Sequence, residues 1–436
     1  MTQAVILAGG KGTRLATLLQ GKPKCLVDVD GIPLLQRQIT LLKEHGIHQV
    51  ILLVNYAADQ VEAFLAAHAS FGVRVTVIDD GEPRGTAGAV LAALDTLGDR
   101  FVVLYGDTLL NVDLSRLIAT HAQSEAEATL FLHPNDHPAD SDLVELDDAG
   151  WVRAFHPYPH APGRYYPNLV NAALYVLEKR ALTPWRGVMV PSDFGKDLFP
   201  AMLADGAKLR GYASFEYIKD IGTPARLEKA VNQLRRGVVG RASFGCRQKA
   251  VFLDRDGTLN IHRGFVRSAD ALELYPHAGE AVRRLNDNEF RAVVITNQPV
   301  LARGEATFED LRGTHAKLEM GLAECGAFLD AIYFCPHHPD RGFPGEVPFL
   351  KIDCDCRKPK IGLINQAARD INIDLEASWF IGDTTSDLET AQRAGVRSIL
   401  VLTGEAGRDD KYQAEPDFVA DDLAGAVDII LSGSHP

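Results

Sequence analysis

An uninterrupted apolar run, Ala250-Val251-Phe252-Leu253, opens directly into Asp254-Arg255-Asp256-Gly257-Thr258-Leu259-Asn260, past the midpoint of a 436-residue chain. A short apolar run bounded by turn-forming residues suits a strand buried on both faces of a parallel sheet. Such a strand needs neighbours and covering helices of its own, so the run starts a second α/β domain rather than continuing the first. Its chemistry is equally constrained. A carboxylate at the end of a buried strand, followed two residues on by another and then by a Gly-Thr turn, suits a phosphoryl-accepting nucleophile beside an acid/base partner.

The pattern on either side agrees. In the first half, strands are expected over 4–8, 49–55, 73–79, 101–105 and 128–132, with amphipathic helices over 34–44, 59–68 and 87–97. In the second half, strands over 250–253, 292–296, 331–334, 379–382 and 398–402 are separated by helices such as 278–286 and 307–325. This alternation implies two Rossmann-like α/β layers with helices on the sheet faces. A Leu-, Lys- and Arg-rich helix near 223–236 ends the first domain, and the glycine-bearing stretch 237–248 is the linker. The expected domains are therefore 1–238 and 249–436.

A formal net charge of −13 argues against a general nucleic-acid surface. Local Arg and Lys clusters still allow anionic small substrates. Six cysteines in a chain of this length do not make a disulfide framework, and three of them crowd into one short region, which points to metal. The N-terminal segment carries no basic leader, and no stretch approaches the roughly 20 apolar residues that span a bilayer. A cytoplasmic protein without a membrane or nucleic-acid partner is expected. Oligomeric state is not legible.

The first half carries a phosphate-handling signature of its own. In Leu7-Ala8-Gly9-Gly10-Lys11-Gly12-Thr13-Arg14-Leu15, Gly9, Gly10 and Gly12 let backbone amides approach phosphate, while Lys11 and Arg14 supply countercharge. The loop is neither a dinucleotide fingerprint nor a Walker A loop, and alone it fits an ordinary turn equally well. Downstream come Pro23-Lys24, then Gly85-Thr86-Ala87-Gly88 at a helix start, Tyr105-Gly106-Asp107 at a strand end, and Asp220 in Ile218-Lys219-Asp220-Ile221-Gly222-Thr223. Two aspartates from distant segments can hold Mg²⁺ against a nucleoside triphosphate.

Together these residues resemble the sugar-1-phosphate nucleotidyltransferase family over about residues 1–236. The resemblance implies a GT-A-like mixed sheet. It also implies attack of a sugar-phosphate oxygen on the α-phosphorus of the triphosphate, with pyrophosphate leaving. By it, Gly9, Gly10, Lys11, Gly12, Thr13 and Arg14 hold the triphosphate, and Gly85, Thr86 and Ala87 lie against the nucleoside. Lys24 neutralises the reacting phosphates, Asp107 and Asp220 bind Mg²⁺, and Asn171 contacts the sugar. One departure stands out. Where the family carries Glu-Lys-Pro, this chain has Phe155-His156-Pro157-Tyr158-Pro159, so the cation for the sugar phosphate is missing from that place and its replacement stays open.

In the second half, four pieces follow in order: Asp254 and Asp256; Thr296-Asn297-Gln298; Arg357-Lys358-Pro359; and Gly382-Asp383-Thr384-Thr385-Ser386-Asp387. They resemble the haloacid dehalogenase-like phosphatases over about residues 249–432. The resemblance implies a parallel sheet in which Asp254 attacks phosphorus and Asp256 shuttles the proton. Thr296 fixes a phosphoryl oxygen, Lys358 adds positive charge, and Mg²⁺ sits on Asp254, the backbone of Asp256 and Asp383. The short stretch between Asp254 and Thr296 leaves no room for a large cap domain.

Cys335-Pro336-His337-His338-Pro339 is followed by Cys354-Asp355-Cys356-Arg357. Three thiolates and an imidazole complete a closed, structural Zn²⁺ site, expected on Cys335, His337, Cys354 and Cys356, with His338 as the alternative imidazole. Small zinc loops of this kind occur in heptose 1,7-bisphosphate 7-phosphatases and histidinol-phosphate phosphatases. Thr296-Asn297-Gln298-Pro299-Val300-Leu301-Ala302-Arg303-Gly304 looks closer to the heptose enzymes, with Pro299 and Val300 departing from their small residues. Asn297, Arg303 and Arg357 are then expected at the substrate.

A 7-phosphatase acting on heptose 1,7-bisphosphate yields heptose 1-phosphate, which a sugar-1-phosphate nucleotidyltransferase can consume. The chain is therefore expected to carry two consecutive steps toward a nucleotide-activated heptose, with GTP as the nucleotide by pathway analogy. The alternative is a hexose-1-phosphate transferase, such as one for mannose 1-phosphate, joined to a phosphatase of another substrate such as histidinol phosphate.

Overall fold

Strands form where the sequence runs apolar and β-branched, and helices cover them where the apolar period lengthens. The structure, a computed structural model, describes residues 3–10, 12–19, 21–188 and 190–433. Lys11 lies outside the described residues.

The chain divides into two compact units. One comprises Met1–His133, Asp142–Pro157 and Leu169–Gly245; the other comprises Pro134–Ser141, Tyr158–Asn168 and Cys246–Pro436. Two short stretches from the first half of the sequence thus group with the second unit, which a division into consecutive segments does not anticipate. Hydrogen bonding within that unit accounts for it. The Asn168 amide donates to Glu319 at 3.2 Å, the Tyr166 amide to the Met320 sulfur at 3.2 Å, and the Asn168 side chain to the Asn135 carbonyl at 2.8 Å.

The first unit is built on strands β1 (Gln3–Leu7), β2 (Gln49–Val54), β3 (Arg74–Asp79), β4 (Arg100–Tyr105), β5 (Ala128–His133), β6 (Leu143–Leu146), β7 (Val152–His156), β8 (Val170–Glu178) and β9 (Leu209–Ala213). They form one nine-stranded mixed sheet in the order β7-β6-β8-β4-β1-β2-β3, with β5 pairing β8 and β9. β1 lies parallel between β2 and β4, whereas β8 runs antiparallel to β4 and β5. Alternation along β1 divides the core. Ala4 and Ile6 pack with Leu35 and Ile39 on one face, and Val5 packs with Ala87 and Val90 on the other. A separate two-stranded sheet pairs Thr108–Asn111 antiparallel with Tyr217–Asp220, in a register that sets Thr108 opposite Asp220.

The second unit holds a six-stranded, all-parallel sheet of β10 (Ala250–Leu253), β11 (Arg291–Asn297), β12 (Ala331–Cys335), β13 (Trp379–Gly382), β14 (Arg397–Val401) and β15 (Phe418–Ala420), in the order β12-β11-β10-β13-β14-β15. The four residues of β10 are all 0% exposed, as a central parallel strand requires. Val251 and Leu253 pack against Ala281 and Val282 of the helix Ala278–Asp287 and against Leu318 and Leu322 of the helix Phe308–Ala323. A 3-10 turn and that first helix are the elements between β10 and β11, so no cap domain intervenes. Among the described residues no helix is long and apolar enough to cross a membrane.

Candidate active sites

In the first unit, the loop after β1 turns through Gly12, whose φ of 63° and position against Leu19 and Lys24 exclude a side chain; an added Cβ would lie 2.6 Å from the Leu19 side chain. Thr13 and Arg14 follow in a 3-10 turn and are exposed, as are residues free to meet a ligand. At the end of β4, Gly106 packs its backbone on that of β1, which delivers Asp107 beside the glycine loop. The register of this two-stranded sheet then brings Asp220 to the same place, and the Ile221 amide donates to the Asp107 carbonyl at 3.0 Å. Lys24 sits between the two acids, ion-paired to Asp107 and 3.9 Å from Asp220. Asp107 and Asp220 therefore share one cleft.

A second cation was missed in the sequence. Arg226 Nη1 lies 2.5 Å from Asp220. Its position three residues after Thr223, the N-cap of the helix Pro224–Arg235, turns it back toward the strand end, which is the one available signal. The two carboxylates, hard oxygen donors in one cleft, suit Mg²⁺ by ligand chemistry.

The Gly85-Thr86-Ala87 segment is tied to a partner that the motif does not disclose. Ala87 and Gly88 amides donate to the Ser192 carbonyl at 3.0 and 3.2 Å, and Thr86 Oγ1 donates to Asp193 at 2.7 Å. Asn171 stands beside a bulge in β8, where the register with β5 shifts and Ala173 takes a φ of 58°. Its amide nitrogen would lie 2.9 Å from a Cβ at Gly195. At the place of the absent Glu-Lys-Pro, Phe155 stacks on Phe199 and His156 pairs with Glu145 at 3.2 Å.

In the second unit the carboxyl ends of β11, β10 and β13 meet, the usual place for a site in an open parallel sheet. Lys358 Nζ lies 2.9 Å from Asp254 and 2.6 Å from Asp387. Burial opposes its charge, yet these two carboxylates raise it above an ordinary lysine. Burial, and then the neighbouring carboxylates, push Asp383 up; burial likewise raises Asp254 against the pull of Lys358. Asp254, Asp383 and Asp387 can bring ligand oxygens within 4.8 Å of one another. Asp383 Oδ1 is buried with no hydrogen-bond partner among the described residues, and its other oxygen accepts the Glu405 amide at 2.7 Å. Three acids against one lysine, with an orphaned oxygen among them, fit a divalent cation.

Asp256 is held differently. Arg255, 0% exposed, reaches it from Nη2 at 2.7 and 3.0 Å, while Gln298 donates at 2.9 Å and Asn260 at 3.0 Å. Burial works to raise this carboxyl, but the charge and hydrogen bonds of Arg255 outweigh it and hold Asp256 below the usual carboxylate range. Gln298, absent from the expected set, also donates to Thr296 Oγ1 at 3.0 Å. Asn297 spends its amide on the backbone of Lys358, accepting from its N–H at 3.0 Å and donating to its carbonyl at 3.3 Å. Arg303 lies between the rings of Phe265 and Phe343, at 4.4 and 4.3 Å, and Arg357 donates to the His337 carbonyl at 3.2 Å.

Cys335, His337, Cys354 and Cys356 converge, with Sγ–Sγ distances of 3.1, 3.2 and 3.5 Å and His337 Nδ1 3.2 Å from Cys356 Sγ. Tetrahedral Zn–S bonds of about 2.3 Å would set sulfurs about 3.7 Å apart, so a small expansion accommodates the ion. The imidazole alternative is resolved by placement. His338 Nδ1 accepts the Asp340 amide at 3.2 Å and is not part of the cluster.

Comparison with known proteins agrees with both units. The nucleotidyl transferase family model matches residues 3–237, and a HAD-hydrolase-like model matches residues 355–426. The D-glycero-beta-D-manno-heptose-1,7-bisphosphate 7-phosphatase of Haemophilus ducreyi is 42% identical over 161 residues, covering 36% of this chain and 86% of that protein. The D-glycero-D-manno-heptose-1,7-bisphosphate 7-phosphatase of Thermosynechococcus vestitus is 38% identical over 194 residues, 43% of this chain and 97% of that one. Among solved structures, HddC from Yersinia pseudotuberculosis complexed with GMP-PN is 26% identical, covers 54% of this chain and 100% of its own, and has a TM-score of 0.46. The chain is an enzyme that belongs to the nucleotidyl transferase family over its first half and to the HAD-like heptose bisphosphate 7-phosphatases over its second.

Proposed function

We propose that this enzyme removes the 7-phosphate from D-glycero-D-manno-heptose 1,7-bisphosphate and then transfers a nucleotidyl group, GMP from GTP, to the resulting heptose 1-phosphate. The observation that carries the reading is the presence on one chain of a phosphatase related to heptose bisphosphate phosphatases and of a nucleotidyl transferase. The product of the first has the chemical form that the second consumes. GTP follows from analogy with routes that end in a GDP-activated heptose.

In the phosphatase unit, an Asp254 oxygen forms a bond to phosphorus as the bond to the sugar oxygen breaks, and a proton from Asp256 goes to that leaving oxygen. Water then attacks phosphorus and gives its proton back to Asp256, and the Asp254–phosphorus bond breaks to release inorganic phosphate. Lys358, ion-paired to Asp254, supplies positive charge to the transferring group, and Thr296 holds one of its oxygens. Asp254, Asp383 and the backbone of Asp256 would hold Mg²⁺, which offsets repulsion between the nucleophile and the phosphate. Cys335, His337, Cys354 and Cys356 would hold Zn²⁺ and so fix the loop that ends at Lys358.

In the transferase unit, Gly9–Arg14 cradle the triphosphate and Lys24 meets the reacting phosphates. Gly85–Ala87 lie by the nucleoside, and Asn171 lies by the sugar. Asp107 and Asp220 would hold Mg²⁺ there. The test supplies heptose 1,7-bisphosphate together with each nucleoside triphosphate in turn. Phosphate release from position 7, followed by pyrophosphate release with GTP, is expected. No phosphate release from the bisphosphate would remove the heptose reading, and pyrophosphate with another triphosphate would replace GTP.

A further inference from the structure

Arg255 stands between the two aspartates of the phosphatase motif, is wholly buried, and directs one edge of its guanidinium at Asp256. The other edge, Nη1, meets His315 Nε2 at 3.4 Å. His315 sits on the helix Phe308–Ala323, 9% exposed, with its ring edge-on to Phe334 at 5.7 Å. A buried guanidinium with an unmet N–H edge is costly. It also turns about its side-chain bonds toward any other acceptor, and acid groups crowd this site.

We propose that His315 is a positioning residue of the phosphatase: by accepting from Arg255 it fixes the guanidinium plane, and the guanidinium in turn fixes the Asp256 carboxyl where proton transfer to the leaving oxygen occurs. The inference rests on the phosphatase reading of Asp256 but not on the identity of the sugar. Burial first, and then the charge of Arg255, drive His315 down to about 3, so its ring is neutral. With Nε2 accepting, the ring proton is on Nδ1. The arrangement is a relay of position, not of protons: neither Arg255 nor His315 changes its charge during turnover.

A histidine that merely fills the core would affect folding alone. One that acts through the acid/base group slows phosphoenzyme formation only where the leaving group needs a proton. Alkyl phosphates need it; an aryl phosphate such as p-nitrophenyl phosphate, whose leaving group is stable as an anion, does not. A single-turnover measurement reads that step apart from the hydrolysis that follows, in which Asp256 serves as base for every substrate. In the full-length enzyme, His315→Phe should lower kcat about tenfold or more on an alkyl phosphomonoester that the wild type turns over, with KM nearly unchanged. On p-nitrophenyl phosphate it should change the single-turnover rate of p-nitrophenolate release less than twofold. His315→Gln, which restores an acceptor oxygen, should recover most of the loss. In an Asp256→Asn background, adding His315→Phe should cost nothing further. Pyrophosphate release by the transferase half serves as the control for an intact chain. Equal losses in the single-turnover rate of leaving-group release on both substrates, an additive double variant, or a glutamine variant no better than phenylalanine would each overturn the proposal. If heptose bisphosphate is not a substrate, any other accepted alkyl phosphate gives the same test, so the two readings fail separately.

Discussion

Replacing Lys358 by methionine keeps the length and apolar stem of the side chain and deletes the cation that faces three buried carboxylates. The structure sets the scale of the effect. At an effective dielectric of about 20, one unit charge at 2.6 or 2.9 Å attracts another by about 6 kcal/mol, and Lys358 has Asp387 and Asp254 at those distances. These are gross attractions, and the desolvation that they offset disappears with the lysine. Removing one member of a buried pair costs about 3–5 kcal/mol in practice. Phosphoryl transfer brings more negative charge to the same place, so a comparable loss should reach the transition state. With about 1.4 kcal/mol per decade, kcat for phosphate release should fall between about 10² and 4 × 10³-fold. The assay is single-turnover phosphate release at saturating substrate and Mg²⁺, with circular dichroism to confirm the fold. Lys358→Arg should not rescue, because a planar fork cannot replace a compact ammonium between two acids. A methionine variant that is folded and within threefold of wild type would refute the assignment of Lys358 to the transferring phosphate.

Three other outcomes are expected. Chelation of zinc, or Cys354→Ser, should depress phosphatase turnover and spare pyrophosphate release, whereas His338→Ala should keep the metal that His337→Ala loses, as read by metal content of the purified chain. Asp107→Ala should lower pyrophosphate release by about 10³-fold and leave phosphate release unchanged; equal activity in the transferase assay would remove Asp107 from that site. Glu319, half-buried and accepting the Asn168 amide, is pushed up by desolvation to about 7 against an ordinary 4.5. The folded state therefore holds this proton more tightly than the unfolded chain. The associated stability is present below about 4.5 and lost as pH rises through about 7, with a ceiling of about 3 kcal/mol. Urea midpoints at pH 5 and pH 8 should converge in Glu319→Gln, and an unchanged slope would refute this origin.

The elements that could be read from the sequence are those whose local pattern answers to one physical demand. A parallel strand buried on both faces must be apolar throughout, so β1, β2, β4 and β10 were visible, and the acids at their ends stood out by contrast. β6, β7 and β9 were not, because polar or small residues interrupt their apolar runs, and their exposure is decided by partners far along the chain. The same division runs through the sites. The thiols and imidazole of the candidate metal site announce themselves by spacing, since a chelating loop must bring its ligands together over few residues.

Pairings made across distant segments leave no such mark. Nothing near Thr86 indicates Asp193, nothing near Asn297 indicates that its amide is spent on Lys358, and Arg226 meets Asp220 only because of where its helix begins. Arg255 is the sharpest case. In the sequence it is a spacer between two catalytic candidates, and its type there has no evident meaning. In the fold its side chain turns away from solvent, and with Gln298 and Asn260 it supplies the donors that keep Asp256 ionised. On the proposed mechanism Asp256 would thus rest as a base, placed to take the proton of the attacking water. To serve first as the acid it must be protonated against the pull of Arg255, a cost that an approaching phosphate, itself anionic, lowers by competing for the guanidinium's field. The residue that decides how Asp256 works is therefore its immediate neighbour, and sequence adjacency concealed it because the role comes from the direction of a side chain rather than from its place in the motif.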